Sequence, residues 1–598
     1  MLRYIFVCIF GLATVQCSFP KEKIPTQNMV LETKKIVIYQ MMTRLFGNTK
    51  TKNVLYGTIE ENGVGKFEDI SDKALTELKN LGITHIWYTG IIEHATLTDY
   101  TKYGVELDDA DVVKGRAGSP YAIKDYYDVD PDLAIEPAKR MQEFELLVER
   151  THKNNLKVII DFVPNHLARR YHSDSKPDSV MDFGASDDTS KPFDPNNNFY
   201  YIENQSFIPP RHYPNFLYSS FKFDRKFVET PAKATGNDIF TSGVPTKDDW
   251  FETVKLNYGV DYLNDKKKYF DPVPSTWLKM RDILRFWAEK KVDGFRCDMA
   301  EMVPIEFWHW VIPQVKEINT NICFIAEIYN PSQYVNYLNE GNFDFLYDKV
   351  QLYDTLRLLI NSTSDTREIA KIQNSLNGIN SNMVHFLENH DEQRIASPFF
   401  ADNPWKALPG MVVSTLIDQG PVMIYFGQEV GETGAETSGF SGNDGRTTIF
   451  DYWGVPAHQK WVNEKRFDGG QLSEDQKKLR QFYSNLFSIA NSKLAISLGS
   501  YHDLTEYNVS ENNISNKICV FARVFEHEKI VIVTSFNPQA EKIKIQLTSE
   551  VAENMKLTKG KIYNGTDLLD EKTEFVLTSD LSFQLEIAPF QSYIINFE

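Results

Sequence analysis

The chain has 598 residues, of which 42% are hydrophobic and 13% aromatic, and a formal net charge of −18. That length exceeds one ordinary core and predicts one large domain with one or two smaller ones. The acidic balance excludes nucleic acid as the main partner, because phosphate backbones are bound by basic faces.

The opening residues, MLRYIFVCIFGLATVQC, carry one early Arg3, an apolar run to about Val15 and a small-residue region ending at Cys17. This is too short for a membrane span and reads as an export signal over 1–17, followed by a linker over 18–33. Export predicts a periplasmic, cell-surface or secreted protein. Cys17 is a candidate lipid-bearing residue that would anchor the chain to a membrane, although Thr14, Val15 and Gln16 fit a lipoprotein cleavage box poorly. The later cysteines, Cys297, Cys323 and Cys519, have no CxxC or zinc spacing and read as buried free thiols.

Apolar runs then alternate with amphipathic segments. KKIVIYQMM (34–42) leads to SDKALTELKNLG, a capped helix that stops at Gly82, before THIWYTGII (84–92). EFELLVERTHKNNL precedes KVIIDFVPNH (157–166), and STWLKMRDILRFWAEKKV precedes DGFRCDM. ICFIAEIY (322–329), FDFLYDKV (343–350), MVHFLENHD (383–391) and PVMIYFGQE (421–429) complete eight runs. Their uninterrupted apolar character fits parallel strands buried on both faces, so the pattern predicts a (β/α)8 TIM barrel, an α/β fold, over 34–166 and 272–496. The aperiodic Asp-, Asn-, Pro- and aromatic-rich stretch 167–271 is too long for a structureless loop and reads as an inserted domain after the third strand. From 497 to 598, short alternating runs such as KIVIVTSFN and QSYIINFE predict a C-terminal antiparallel β-sandwich domain.

Barrel chemistry sits where the strands end. Those ends carry Asp161, Asn165 and His166 on the third strand, Arg296 and Asp298 on the fourth, Glu327 on the fifth, and Asn389, His390 and Asp391 on the seventh. A single strand-end acid is usually a cap or an ion-pair partner. Several acids converging on one pocket are costly without a function. Paired carboxylates across a glycosidic bond perform its hydrolysis, one attacking the anomeric carbon and one protonating the leaving oxygen. Strand alternation places Arg296 on the same side as Asp298, where it would keep that carboxylate ionised. Glu327 follows the apolar CFIA, which would raise its pKa toward that of a proton donor. His166 and His390 are candidate donors to sugar hydroxyls.

The segments DFVPNH, GFRCDMAEM, FIAEIY and FLENHDEQR resemble, in order, the four signature regions of the α-amylase family of glycoside hydrolases. The resemblance spans about residues 34–598. It implies a retaining enzyme acting on α-1,4 bonds of starch, glycogen or maltooligosaccharides, without an organic cofactor. It implies Asp298 as nucleophile, Glu327 as general acid and base, and Asp391 as the residue that binds sugar hydroxyls at the transition state. His166, Arg296 and His390 would line the subsite of the attacked glucose, Tyr121 would stack beneath it, and Arg394 would close the other side. Asn165 is implied as a calcium ligand.

Three departures bear on these expectations. Glu301 and Met302 stand where many endo-acting relatives carry Lys-His, TIEENGVGKFEDI lacks the acidic spacing of a calcium loop, and Gly118 replaces an aspartate found in many sucrose- and isomaltose-acting relatives. An α-glucan transglycosylase or sugar isomerase would use the same site. A non-catalytic glycan-binding protein is disfavoured by the three intact acids.

Overall fold

A computed structural model of the chain describes residues 34–222, 227–434, 437–440 and 442–598. The export signal, Cys17 and the linker 18–33 lie outside the described residues. Among the described residues no helix is long and apolar enough to cross a membrane.

Eight parallel strands form the central sheet: β1 (Val37–Met42), β2 (His85–Thr89), β3 (Lys157–Phe162), β4 (Gly294–Cys297), β5 (Cys323–Ala326), β6 (Phe345–Tyr347), β7 (Met383–Val384) and β8 (Val422–Tyr425). Strands β2 to β7 each pair with their predecessor, and β8 pairs with β1. A parallel bridge between His385 and Val422 joins β7 to β8 and closes the ring. The strands are buried along nearly their whole length, as their continuous apolar runs require.

Helices pack outside the ring. The first, α1 (Asp72–Leu81), starts where Ser71 accepts a hydrogen bond from the Ala74 amide and stops at Gly82, whose φ of 106° few other residues adopt. It buries Ala74, Leu75, Leu78 and Leu81, one face at helical spacing. Helices α2 (Arg140–Lys153), α3 (Ser275–Glu289) and α4 (Ile305–Lys316) lead into β3, β4 and β5.

After β3 the chain leaves the ring. His166–Ala168 pairs antiparallel with Thr253–Lys255, and Tyr201–Ile202 pairs with Ala232–Lys233. The chain returns through α3. This excursion hangs over the end of the ring at which β3, β4 and β5 finish.

Beyond the last barrel helix, α5 (Glu474–Ser492), lies an antiparallel β domain. Its larger sheet includes β9 (Ser500–Asp503), β10 (Ile518–Phe525), β11 (Glu528–Ser535), β13 (Tyr563–Asp567), β14 (Glu574–Leu577) and β16 (Ser592–Phe597), with β12 (Glu541–Gln546) and β15 (Ser582–Ile587) forming a second pair. Alternation along β10 and β11 sorts their side chains. Cys519, Phe521, Ile530 and Ile532 join the barrel core, while Val520, Ala522, Val531 and Val533 join the core of the β domain. The three cysteines are free, with Cys297 and Cys519 buried and Cys323 only partly so.

Candidate active site

Asp298 and Glu327 each stand one residue beyond their strands, β4 and β5, and the ladder carries on through them. The Asp298 amide donates to Phe162 O at 2.9 Å and the Glu327 amide to Cys297 O at 3.1 Å. Both carboxyls therefore emerge at the same end of the ring. The next residue, Met299, adopts a left-handed φ of 43°. That turn sends its amide onto Glu327 Oε2 at 2.7 Å, so an energetically costly backbone conformation holds the second carboxyl in place.

Arg296 is fully buried beneath the acids. Its Nη1 meets Asp298 Oδ1 at 2.8 Å and Asp161 Oδ1 at 3.4 Å, its Nη2 meets Glu327 Oε1 at 2.8 Å, and its Nε donates to the Tyr347 hydroxyl at 3.2 Å. Strand register explains the Asp161 contact, because Arg296 on β4 lies opposite Asp161 on β3. One guanidinium thus serves three carboxyls and is itself held protonated far above its usual range.

Burial raises the Asp298 carboxyl above the usual range and Arg296 only opposes that rise. The second oxygen of that carboxyl, Asp298 Oδ2, is buried without a hydrogen-bond partner among the described residues. Glu327 is raised first by burial, with Arg296 opposing and Asp298 adding to the rise. The Tyr329 hydroxyl donates to Glu327 Oε1 at 2.7 Å.

At the end of β7, Asn389 Oδ1 accepts from the amides of Asp391 and Glu392, both at 2.9 Å, and this turn directs Asp391 to the cavity. Its side chain lines the cavity and is 39% accessible. Its placement among protein groups at the cavity wall pushes Asp391 up to about 8, with the Glu327 carboxyl adding and Arg296 opposing.

His390 is fixed on both nitrogens. Gln40 donates to Nδ1 at 2.8 Å, so Nε2–H faces the Tyr121 hydroxyl at 2.6 Å and Asp391 Oδ2 at 3.1 Å. Burial and then Arg296 hold its pKa well below the usual value, so the ring is neutral. Tyr121 stacks on His390 with ring centroids 5.1 Å apart, and its hydroxyl donates to Asp161 Oδ1 at 3.3 Å. His166, lowered to about 4 mainly by burial, packs 5.1 Å from Trp250.

Tyr121, His166, Asp298, Glu327 and Asp391 share one cavity of about 340 Å³ with Trp250, Glu252, Tyr329, Phe440 and Phe450. This lies within the roughly 300–1,000 Å³ of small-ligand sites. A larger depression of about 660 Å³ among Phe207, Arg211 and Phe227 holds none of these acids.

Two expected residues lie elsewhere. Arg394 does not reach the cavity: Glu388 takes its Nη1 at 3.0 Å, Phe426 O accepts at 2.8 Å, Thr447 accepts from Nε at 2.9 Å, and the guanidinium stacks on Tyr425. Asn165 offers its Oδ1 to the ammonium of Lys255 and its Nδ2 to Gly236 O at 2.9 Å. The oxygen implied as a calcium ligand therefore already holds a cation of the chain itself. The residues around Asn165 do not fit calcium, and among the described residues no group of three or more His, Cys, Asp or Glu is placed to hold a metal.

Several contributors were given no role from the sequence. Asp161 sits at a strand end that pattern reading finds, but its partners Trp87, Tyr121 and Arg296 come from three separate segments. Tyr329 lies two residues past Glu327, a spacing that signals a shared face. Trp250 and Glu252 come from the aperiodic insertion and carried no signal.

The description "Alpha amylase, catalytic domain" matches residues 40–480. The chain belongs to the α-amylase family. It is similar to Alpha-amylase 3 of Dictyoglomus thermophilum, 23% identical over 528 residues that cover 84% of this chain and 85% of that protein. Alpha-amylase MalA of Haloarcula japonica is 21% identical and is matched over 84% of this chain but 55% of its own length. Among solved structures, the maltogenic α-amylase AmyB of Thermotoga neapolitana has a TM-score of 0.59 at 18% identity, covering 95% of this chain and 99% of its own. AmyP in complex with maltose has a TM-score of 0.59 at 17% identity, covering 96% and 98%. These likenesses establish the fold, and with the family match they make the chain an enzyme of the α-amylase type.

Proposed function

We propose that this α-amylase family enzyme is a retaining hydrolase of α-1,4-glucosidic bonds in starch, glycogen or maltooligosaccharides. The observation that carries the reading is the single guanidinium of Arg296 held at 2.8 Å from both Asp298 and Glu327. Two carboxyls gathered on one guanidinium favour the close separation of retaining enzymes over the wider gap that admits a water between them.

Asp298, with its free Oδ2, attacks the anomeric carbon as Glu327 gives its proton to the glycosidic oxygen, and the aglycone leaves with that proton. The charge lost from Asp298 passes into the new glycosyl ester bond. Glu327, now ionised, takes a proton from water as the water oxygen displaces Asp298, restoring both groups and the α configuration. Asp391 and the neutral Nε2–H of His390 bind sugar hydroxyls, and Tyr121 offers an aromatic face to the ring.

Relatives include an α-1,4-glucan:maltose-1-phosphate maltosyltransferase of Cereibacter sphaeroides, 31% identical over 93 residues. The aromatic lining of Trp250, Phe440 and Phe450 would suit a sugar acceptor in place of water, which makes transglycosylation the second reading. A product time course from maltoheptaose and soluble starch decides between them. Hydrolysis yields only shorter chains, whereas transfer yields some chains longer than the substrate.

A further inference from the structure

We infer that the ammonium of Lys255 is a built-in cation that ties the inserted segment to the barrel beside the active site and takes the place of a calcium ion. Lys255 is 2% exposed. Its ammonium donates to two oxygens, Asn165 Oδ1 and Met302 O at 3.1 Å, and forms an ion pair with a third, Asp238 Oδ1, at 2.7 Å. Three oxygens around an ammonium match its three donors in number.

The three oxygens come from three places. Asn165 follows β3, Met302 lies four residues beyond Asp298 after β4, and Asp238 belongs to the inserted segment. Asp238 sits at a left-handed φ of 67°, a conformation that costs energy and is held here against its lysine partner. One ammonium against one carboxylate, whose side chain is 32% exposed, leaves the pair neutral and limits the cost of hiding the lysine charge. A divalent ion added here would face a fixed positive charge and three oxygens already engaged.

The tie reaches the catalytic cavity through the backbone. Lys255 lies directly opposite His166 in the antiparallel ribbon, and the Leu256 amide donates to Asn165 O at 3.0 Å. Asn165 Nδ2 also lies 3.1 Å from His166 Nδ1. Lys255 is therefore a positioning residue for His166 and for the turn that follows Asp298. This role stands whichever glucan the enzyme cleaves.

The test compares melting temperature and maltooligosaccharide kinetics of the full chain in excess chelator and in millimolar calcium, for the wild type, Lys255→Met and Asp238→Asn. The wild type should melt at the same temperature in both buffers and keep its activity in chelator. Lys255→Met, which keeps length and loses charge, should melt about 2–4 °C lower in either buffer. Its kcat/KM should fall at least about tenfold, as for other residues that orient site ligands. Asp238→Asn, which leaves the lysine charge unmatched, should lower the melting temperature in the same direction. A wild type that loses several degrees in chelator and regains them with calcium would overturn the inference, as would a Lys255→Met variant that melts and turns over like the wild type. The chelator comparison needs no variant, so it decides even where Lys255→Met fails to fold. It reads melting temperature directly, so a misassigned substrate would leave it intact.

Discussion

At the residue scale, the site shares one cation among more carboxyls than it can neutralise, and burial raises those left over. Removing either reacting carboxyl should therefore abolish turnover rather than tune it. Asp298→Asn and Glu327→Gln are each expected to lower kcat/KM on maltoheptaose at least about 1,000-fold while the folded fraction, read by circular dichroism, stays unchanged. Tyr329 acts more subtly. Its hydroxyl stabilises the ionised form of Glu327, so Tyr329→Phe should raise the Glu327 pKa and move the basic limb of the kcat/KM profile to higher pH. The loss of that one hydrogen bond should cost about tenfold in rate. A basic limb that stays in place would show that Tyr329 does not set the proton donor. The acids were legible because Asp298 and Glu327 each follow an apolar strand. The fate of Arg394 was not: Glu388, three residues before Asp391, captures it in a buried ion pair that sequence spacing does not reveal.

At the element scale, loops that carry the cavity are held by backbone conformations as much as by side chains. Gly118 has a φ of 80°, and a Cβ placed there would lie 1.7 Å from Ala95 O. Arg44 fixes the same bend through the carbonyls of Ala117 and Gly118 at 3.0 and 2.9 Å. The glycine that departs from the family pattern is thus required by its turn, three residues before Tyr121, whatever substrate is chosen. Gly118→Asp should destabilise the protein by about 3 kcal/mol and displace Tyr121, measurable as a lower denaturation midpoint with a raised KM. Retention of the wild-type midpoint would contradict this. The eight strands and their helices were readable from apolar runs, because parallel strands buried on both faces have no polar interruptions. The insertion was readable only as a length, since its short ribbons, His166–Ala168 with Thr253–Lys255 and Tyr201–Ile202 with Ala232–Lys233, are three and two residues long and show no period.

At the scale of the whole molecule, the barrel and the terminal β domain share a core rather than a linker. The alternating faces of β10 and β11 belong to different clusters, one continuous with the barrel. Arg523 seals the junction from β10, donating to Ile417 O at 2.9 Å, Ala495 O at 3.1 Å and Ile496 O at 2.9 Å. Arg523→Met should leave these buried carbonyls unpaired and cost about 3 kcal/mol. Urea unfolding measures this loss, and an unchanged midpoint would mean that the junction carries little stability. The alternation of the terminal strands was visible in the sequence. That both faces are buried, one against the barrel, follows only from how the domains meet.

The central claim is that Asp298 and Glu327, held on Arg296, form a retaining pair. The most direct measurement is the anomeric form of the first product released from maltoheptaose, followed by proton NMR before mutarotation, with Asp298→Asn as control. The account predicts that the wild type releases the α anomer first and that Asp298→Asn releases almost none. Initial release of the β anomer, or product from Asp298→Asn at the wild-type rate, would contradict it.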